Sequence, residues 1–422
     1  MKKHIVIIGG GFAGINLANS LSKNKNFKIT LVDKNNYHFF PPLIYQVATG
    51  FLEPSSISYP FRKLLKENKN IRFWLGEFVE VISSENKLKL NNGELSYDYL
   101  VFATGTQSNF FGMENVKKHA IPMKTLDDAL NMRNILLQRI EKATITKNKA
   151  EKKRLLTMVV VGGGPTGVEV SGMFAEMSKT IIRKEYPELN DVRKTQIYLI
   201  DGGNSLLSPM SEKSQKYTLE SLKKLGVQIK LNTHVVDYDG EVVTFKDGSY
   251  IKTKNLIWAA GVSAITFDGI PATSYGRAKR LIVDEFNKIK DTENIYAIGD
   301  TCIMENVDEK FMQGHPQVAQ VAIQQGKNLA QNFKNISLNK PLQSFKYKDK
   351  GSMAIIGRAK AVADIPGNTH FNGFFAWIMW LFVHIMSLVN YRNRLQTLYN
   401  WAIAYFTKDQ SLRIIIRPKE KI

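Results

Sequence analysis

The strongest constraint on this chain is a glycine spacing that occurs twice. His4-Ile5-Val6-Ile7-Ile8 runs into Gly9-Gly10-Gly11-Phe12-Ala13-Gly14, and Met158-Val159-Val160-Val161 runs into Gly162-Gly163-Gly164-Pro165-Thr166-Gly167. Each copy reads as a short apolar strand, a G-x-G-x-x-G turn and a segment with helical spacing. In such a turn the first glycine allows the tight bend, the second lets the backbone approach a pyrophosphate, and the third lets helix and strand pack closely. The helix N-terminus then faces the anion. A single match is weak, because ordinary glycine turns produce it, so the argument rests on what surrounds each copy.

The surroundings repeat as well. After the first turn, the strand at residues 28–32 ends in Asp33, 19 residues beyond Gly14. That is the interval expected for the acid that accepts a ribose hydroxyl. An acid there can also be a plain turn former, but the upstream glycines favour the ribose role. A meander follows over residues 71–105, with Val79 and Val81 in one strand, Leu88 and Leu90 in another, and a tight turn at Asn91-Asn92-Gly93. Its last strand runs through Ala103 into Thr104-Gly105. In the second copy a strand at residues 196–200 ends in Asp201, a meander turns at Asp247-Gly248, and a strand through Trp258-Ala259 closes at Ala260-Gly261. Gly14 to Gly105 is 91 residues and Gly167 to Gly261 is 94. Matched spacing of this kind predicts an α/β chain with two Rossmann-like dinucleotide-binding domains, each carrying a β-meander. One departure stands out: Gly167 to Asp201 is 34 residues, which an extended helix and loop around Pro187 would absorb. An acid at Asp201 would repel a 2′-phosphate, so NADH is expected over NADPH. The expected division is 1–125 and 276–345 for the first nucleotide domain, 126–275 for the second, and 346–422 for a C-terminal docking region.

Composition narrows the classes further. At 422 residues the chain can hold two or three domains, and its one cysteine, Cys302, excludes a disulfide framework, a Cys-pair redox centre and a cysteine zinc site; no metal site is expected. A single cysteine fits a reducing compartment. The formal net charge of +20 suits a solvated surface, nucleic acid or an anionic lipid face. No nucleic-acid motif accompanies it, so lipid is favoured and no nucleic-acid partner is expected. The first strand begins almost at once, so no secretory leader is expected.

Other stretches carry less specific signals. Residues 37–50 are aromatic, apolar and broken by Pro41-Pro42; they read as a loop that packs domains or walls a flat ring or apolar substrate. Residues 126–154 read as a charged surface helix leading to a linker. Residues 295–300 read as a short strand ending in Gly299-Asp300. Residues 315–326, with Gln317, Gln320 and Gln324, have helical spacing and read as a glutamine-bearing helix, either a plain polar surface or one aimed at a ligand. The tail changes character. Residues 373–389 are apolar nearly all round, 17 residues with a His inside, followed by Tyr391-Arg392-Asn393-Arg394 and a second segment carrying Trp401 and Tyr405. Basic residues return at Arg413, Arg417, Lys419 and Lys421. Aromatics beside arginines suit helices lying in one leaflet of a bilayer. A buried core or dimer pair and a full span are the alternatives, the span being short by the length rule.

Taken together, these stretches resemble the type II, single-subunit, non-proton-pumping NADH:quinone oxidoreductases within the pyridine nucleotide-disulfide oxidoreductase-like flavoproteins. The resemblance rests on both glycine turns, on Pro42-Leu43-Ile44-Tyr45-Gln46-Val47-Ala48-Thr49-Gly50, on Ala103-Thr104-Gly105, Trp258-Ala259-Ala260-Gly261 and Tyr296 to Asp300, on Ala319-Gln320 through Gln325, and on the tail. It implies that the first glycines, Asp33, Lys34 and Val79 hold the adenine half of FAD. Asp300 would take the ribityl-phosphate side, and Ala319 and Gln320 would lie by the ring. The second turn and Asp201 would hold NADH. Glu169 would stand beside nicotinamide and flavin as a proton-handling residue; read from its position alone, it is also an acid near a helix N-terminus. Phe40, Gln46, Gln317 and Gln324 are the quinone-site candidates, and menaquinone or ubiquinone in a respiratory chain is the implied acceptor. A peripheral, monotopic protein on the cytoplasmic face of the cell membrane is expected, with a homodimer open. Two rivals remain: a soluble NAD(P)H reductase serving a ferredoxin-like protein, which leaves the tail unexplained, and a membrane-bound nucleotide sensor without turnover.

Overall fold

In the computed structural model the described residues are 2–189, 196–306, 309–407 and 413–416. Arg417, Lys419 and Lys421, and residues 190–195 of the long interval, lie outside them. The chain forms two compact units: residues 1–39, 59–107 and 262–349, and residues 40–58, 108–261 and 350–422.

In the first unit five parallel strands lie in the order Ile295–Ala297, Tyr99–Phe102, Lys3–Ile8, Phe27–Asp33, Ile71–Leu75. The strand that feeds the glycine turn is central and buried along its apolar run, as a parallel strand covered on both faces must be. The helices Phe12–Leu21 and Ala319–Ser337 pack on each other in this unit. They approach closely at Gly326, where a Cβ would meet the Ala13 carbonyl oxygen at 2.6 Å. The meander is the antiparallel sheet Phe78–Ile82, Lys87–Leu90, Gly93–Ser96.

The second unit repeats the plan. Its parallel order is Ile121–Pro122, Asn255–Trp258, Met158–Val161, Ile197–Ile200, Val227–Lys230, again with the glycine-turn strand central. Its meander is Val235–Tyr238, Val242–Phe245, Tyr250–Lys252, and both meanders shift register at the start of the first strand. The long interval does not disturb the register. Ile8 pairs with Val32 in the first sheet and Val161 with Ile200 in the second, so Asp33 and Asp201 occupy the same register position, one residue past that pair. The extra residues begin as a π turn, Ser178–Ile182, continuing the helix Pro165–Met177.

Three sequence expectations change. The segment read as a loop around Gln46 is helical, a 3₁₀ turn Pro41–Leu43 running into the helix Ile44–Ala48; proline is tolerated in the first helical turn, where its missing N–H costs nothing. The glutamine helix starts at Ala319, so Gln317 precedes it. Residues 126–154 hold two helices, Leu126–Ile145 and Lys149–Leu156, the first opened by a Thr125–Asp128 capping box and the second by Asn148.

The C-terminal part of the second unit carries an antiparallel sheet, Ser352–Gly357, Lys360–Ile365, Thr369–Asn372, and the helices Gly373–Ser387 and Tyr391–Thr407. Ala376, Trp380 and Trp401 face inward, whereas Phe374, Phe375, Ile378, Phe382, Met386, Leu395, Tyr399 and Phe406 are exposed. Among the described residues no helix is long and apolar enough to cross a membrane.

Candidate functional site

Each glycine turn builds the same cradle. In the first unit Gly9 N–H donates to Val32 O and Ala103 N–H to Ile8 O; in the second, Gly162 N–H donates to Ile200 O and Ala259 N–H to Val161 O. Gly9 has φ +103° and Gly162 φ +114°, and a Cβ on either would meet the carbonyl oxygen of Ala103 or Ala259 at 2.4 and 2.5 Å. A Cβ on Gly14 or Gly167 would meet the first glycine's own carbonyl oxygen at 1.9 and 1.8 Å. The middle positions differ in kind. Gly11 and Gly164 are the N-caps of their helices, with φ −68° and −72°, and a Cβ there meets nothing within 4 Å. Nothing in the folded chain requires glycine there. The open space lies at a helix N-terminus with no side-chain cap, the geometry that receives a phosphate. Phe12 and Ala13, and Pro165 and Thr166, open the two helices.

The strand-end acids are held alike. Asp33 accepts from Gly10 N–H at 2.7 Å and from Asn35 N–H at 2.8 Å. Asp201 accepts from Gly163 N–H at 2.5 Å and Gly203 N–H at 2.6 Å. Burial raises the Asp33 carboxyl above its ordinary value, and the two N–H donors pull it back. Fixed this way, each carboxylate still has lone pairs for ribose hydroxyls. His38, which sequence reasoning passed over, donates from Nδ1 to Gly10 O at 2.9 Å and packs edge-on to Phe12. Burial lowers its pKa, which favours the neutral ring, while the bond to the Gly10 carbonyl raises it in part. Its signal was a His inside an otherwise apolar run.

At the carboxyl ends of the first unit's strands, Ile298 N–H donates to Phe102 O and Thr104 Oγ1 to Thr301 Oγ1 at 3.1 Å. Gln317 Nε2 donates to Asp300 O at 3.1 Å, so Asp300 and the approach to the helix Ala319–Ser337 come together. Gly299 N–H donates to buried Gln325 Oε1 at 2.7 Å. Glycine turn, Asp33, Thr104, Asp300 and the Ala319-Gln320 helix start thus gather at the sheet edge where α/β folds bind ligands. Lys34 is exposed beside Asp33, Val79 is 44 % exposed in its strand, and Gly105 follows Thr104 with φ +67°. Cys302 is buried and pushed up to about 12, mainly by burial, which leaves it inert as a nucleophile.

In the second unit, Trp258 Nε1 donates to Asn109 O at 2.9 Å beside the Ala260-Gly261 turn. Glu169 is the fifth residue of its helix, beyond the first turn, and is 7 % exposed, so it is not a surface acid stabilised by the macrodipole. It is buried because Gly172 lets the helix approach the strand Ser352–Gly357, where a Cβ would meet Ile356 O at 1.8 Å. Ile355 N–H donates to Glu169 Oε1 at 3.5 Å. Burial drives this carboxyl well above the ordinary range, and the Ile355 N–H offsets part of the rise.

The quinone candidates divide between the units. Phe40 meets the His384 ring edge-on at 6.0 Å. Gln46 donates from Nε2 to Tyr45 Oη at 2.9 Å and accepts from Trp401 Nε1–H at 2.7 Å, so its amide is locked. In the first unit, Gln324 donates to Lys348 O and accepts from Lys348 N–H. Gln46, Met173, Glu176, Ile355, Trp380 and Trp401 are among the walls of a cavity of about 260 Å³. Sequence reasoning missed Glu176; its signal was a second carboxylate seven residues along the helix from Glu169.

A family model described as pyridine nucleotide-disulphide oxidoreductase matches residues 3–326, and one described as the NDH2 C-terminal domain matches residues 350–409. A type II NADH:quinone oxidoreductase of Mycobacterium tuberculosis is 36% identical over 96% of this chain and 87% of its own length. The chain belongs to the type II NADH:quinone oxidoreductase family. A Haemophilus influenzae member is 30% identical over 86% of this chain and 87% of its own. The solved NDH2 of Plasmodium falciparum in complex with NADH superposes with TM-score 0.89 at 26% identity, covering 99% of this chain and 100% of that one.

Proposed function

We propose that this protein oxidises NADH, carries the electrons on FAD and delivers them to a membrane quinone without pumping protons. The observation that carries the reading is the doubled cradle: two glycine turns with identically held acids, in a chain of this family. FAD supplies hydride acceptance and electron transfer; the chain supplies binding, orientation and a proton. Purified protein loaded with FAD should sustain NADH oxidation over many turnovers only when a soluble quinone analogue is present. Absence of a quinone-dependent rate rejects the reading and favours a nucleotide-binding protein without turnover.

The paired cradles support a division of the two nucleotides between the units. The first unit holds FAD, through Gly9, Gly11, Gly14, Asp33 and Asp300, with Ala319 and Gln320 toward the ring. Its bounds differ from the expected 1–125 and 276–345 in that residues 40–58 and 108–125 fall in the second unit and 262–275 in the first. The second unit holds NADH, through Gly162, Gly164, Gly167 and Asp201. Glu169 gives a proton to the quinone side, a role supported by its burial and raised pKa. Asp201→Ala should raise KM for NADH by roughly ten- to a hundredfold, the worth of charged hydrogen bonds to a hydroxyl. It should also narrow the preference over NADPH. The ratio is the decisive readout, since loosening Gly163 and Gly203 would weaken both nucleotides equally; an unchanged ratio removes Asp201 from the ribose site.

Residues 346–422 form the membrane-docking region, with menaquinone or ubiquinone entering from the lipid. The support is the exposed apolar side of the helices Gly373–Ser387 and Tyr391–Thr407 and the net charge of +20. The cytoplasmic face of the cell membrane suits the basic chain and its single cysteine, and a homodimer is compatible with the same apolar side. Removing the whole tail would strip Trp380 and Trp401 from the unit, so point changes test docking more cleanly. Phe375 is 75 % and Phe382 66 % exposed. Replacing both by Asp should leave thermal stability unchanged and cut partitioning onto vesicles about a hundredfold or more, from about 1.5–3 kcal/mol for each Phe buried in lipid. Undiminished binding would reject this surface as the lipid contact.

A further inference from the structure

Each turnover of NADH with a quinone takes up one proton from solvent: NADH, H⁺ and quinone give NAD⁺ and quinol. Glu169 is too deeply buried to collect that proton directly. A second carboxyl lies ~10.5 Å along the same helix, two turns away. The chain holds the two alike. Ile355 N–H donates to Glu169 at 3.5 Å and Arg358 N–H to Glu176 at 2.5 Å, so one strand and its following turn anchor both. Gly357 makes room for the second, since a Cβ there would meet Glu176 Oε1 at 2.6 Å. Glu176 lines the cavity of about 260 Å³ together with Met173, Ile355 and Gln46. That volume has space for several waters, each needing about 10–15 Å³ of such space. Gln46 Nε2 donates to Tyr45 Oη, which leaves the Tyr45 O–H free to act as a donor.

We propose that Glu176 is a proton-relay residue that reloads Glu169 through cavity water and the Tyr45 hydroxyl; this rests on the proton-donor reading of Glu169. A proton leaves the Glu176 carboxyl, water carries it to Tyr45 Oη, and Tyr45 passes its own proton to the Glu169 carboxylate. Glu176 is then reprotonated from solvent at its half-buried side. Tyr45 lies within the field of both acids: burial first, then the Glu169 carboxylate and less strongly Glu176, raise its pKa, while Gln46 lowers it. Burial raises Glu176, whereas Arg358 N–H and the charges of Lys360, Arg358 and Lys179 lower it.

The test uses the FAD-loaded full chain and separates NADH bleaching of the flavin from its reoxidation by a soluble quinone. Glu176→Gln keeps an oxygen for Arg358 N–H but cannot carry a proton. Bleaching should be unchanged, reoxidation should slow about tenfold or more, and formate or acetate should restore it in proportion to concentration. Reoxidation within twofold of the parent, or slowing that neither acid relieves, overturns the relay. Lys179→Met keeps both carboxyls and removes a charge that lowers Glu176; the alkaline fall of the reoxidation rate should move to higher pH, and an unmoved profile overturns the relay. Glu169→Gln is measured in parallel. If it reoxidises at the parental rate, the donor reading fails; if it is slow while Glu176→Gln is not, the relay alone fails.

Discussion

Glu169→Gln will slow quinone-coupled turnover by about a hundredfold or more while flavin content and flavin bleaching by NADH stay intact. The size is that of a lost general acid. The change is nearly isosteric, and the amide oxygen can still accept from Ile355 N–H, so damage to packing is not the expected cause. The pH dependence of stability supplies an independent check. Unfolded, a Glu carboxyl ionises near pH 4.3; folded, burial holds Glu169 well above that. Below the unfolded value both states are protonated and the group has no effect. As pH rises, the unfolded chain releases the proton while the folded chain keeps it, so the contribution of Glu169 to stability falls until the folded pKa is passed. Glutamine stays neutral throughout. The variant should therefore match the parent near pH 4 and melt at a higher temperature at pH 8. Parental turnover would reject the proton-donor role, and equal melting at both pH values would reject the raised carboxyl.

The parts of this molecule that were legible in the sequence are those set by local chemistry. The glycine turns and the acids at 33 and 201 are dictated by spacings within one strand–turn–helix unit, and the paired sheets follow from the doubled pattern. Even the 34-residue interval resolved once Val161 paired with Ile200, because register depends on the strands rather than on the excursion between them. What escaped was set by distant contacts. Nothing near Glu169 announces that Ser352–Gly357 will lie over its helix at Gly172 and bury it. The start of the helix at Ala319 was missed because its N-cap is Val318, with no side-chain cap, whereas Pro316 lies within the same helical spacing of small and amide residues. The helix Ile44–Ala48 was hidden by the two prolines that open its 3₁₀ turn. Trp401 was noticed as an interfacial aromatic, yet its N–H orients Gln46, 355 residues away in sequence.

Gly164→Val should abolish productive NADH binding without unfolding the protein, and the contrast with Gly167→Val makes the result interpretable. At Gly167 a side chain would drive into the Gly162 carbonyl oxygen at 1.8 Å, so Val there must deform the turn, and a loss of NADH oxidation would be accompanied by a lower melting temperature. At Gly164 the backbone has an ordinary φ of −72° and a Cβ meets no atom within 4 Å. The only cost of a side chain is to whatever approaches from outside. If that is the pyrophosphate of NADH, filling the space removes its backbone hydrogen bonds from the helix N-terminus. Charged bonds of about 1.5–3 kcal/mol each convert to a rise in KM for NADH of roughly a hundredfold or more when two are lost. FAD should remain bound, because the first turn is unaltered. Gly11→Val, the equivalent change in the first unit, should show the reverse: flavin lost on purification, while binding of NADH to the flavin-free protein, measured by calorimetry, is retained. Parental KM in Gly164→Val would mean that the nucleotide does not lie on this turn. Simultaneous loss of FAD and NADH from either single variant would mean that the two cradles do not divide the nucleotides between them.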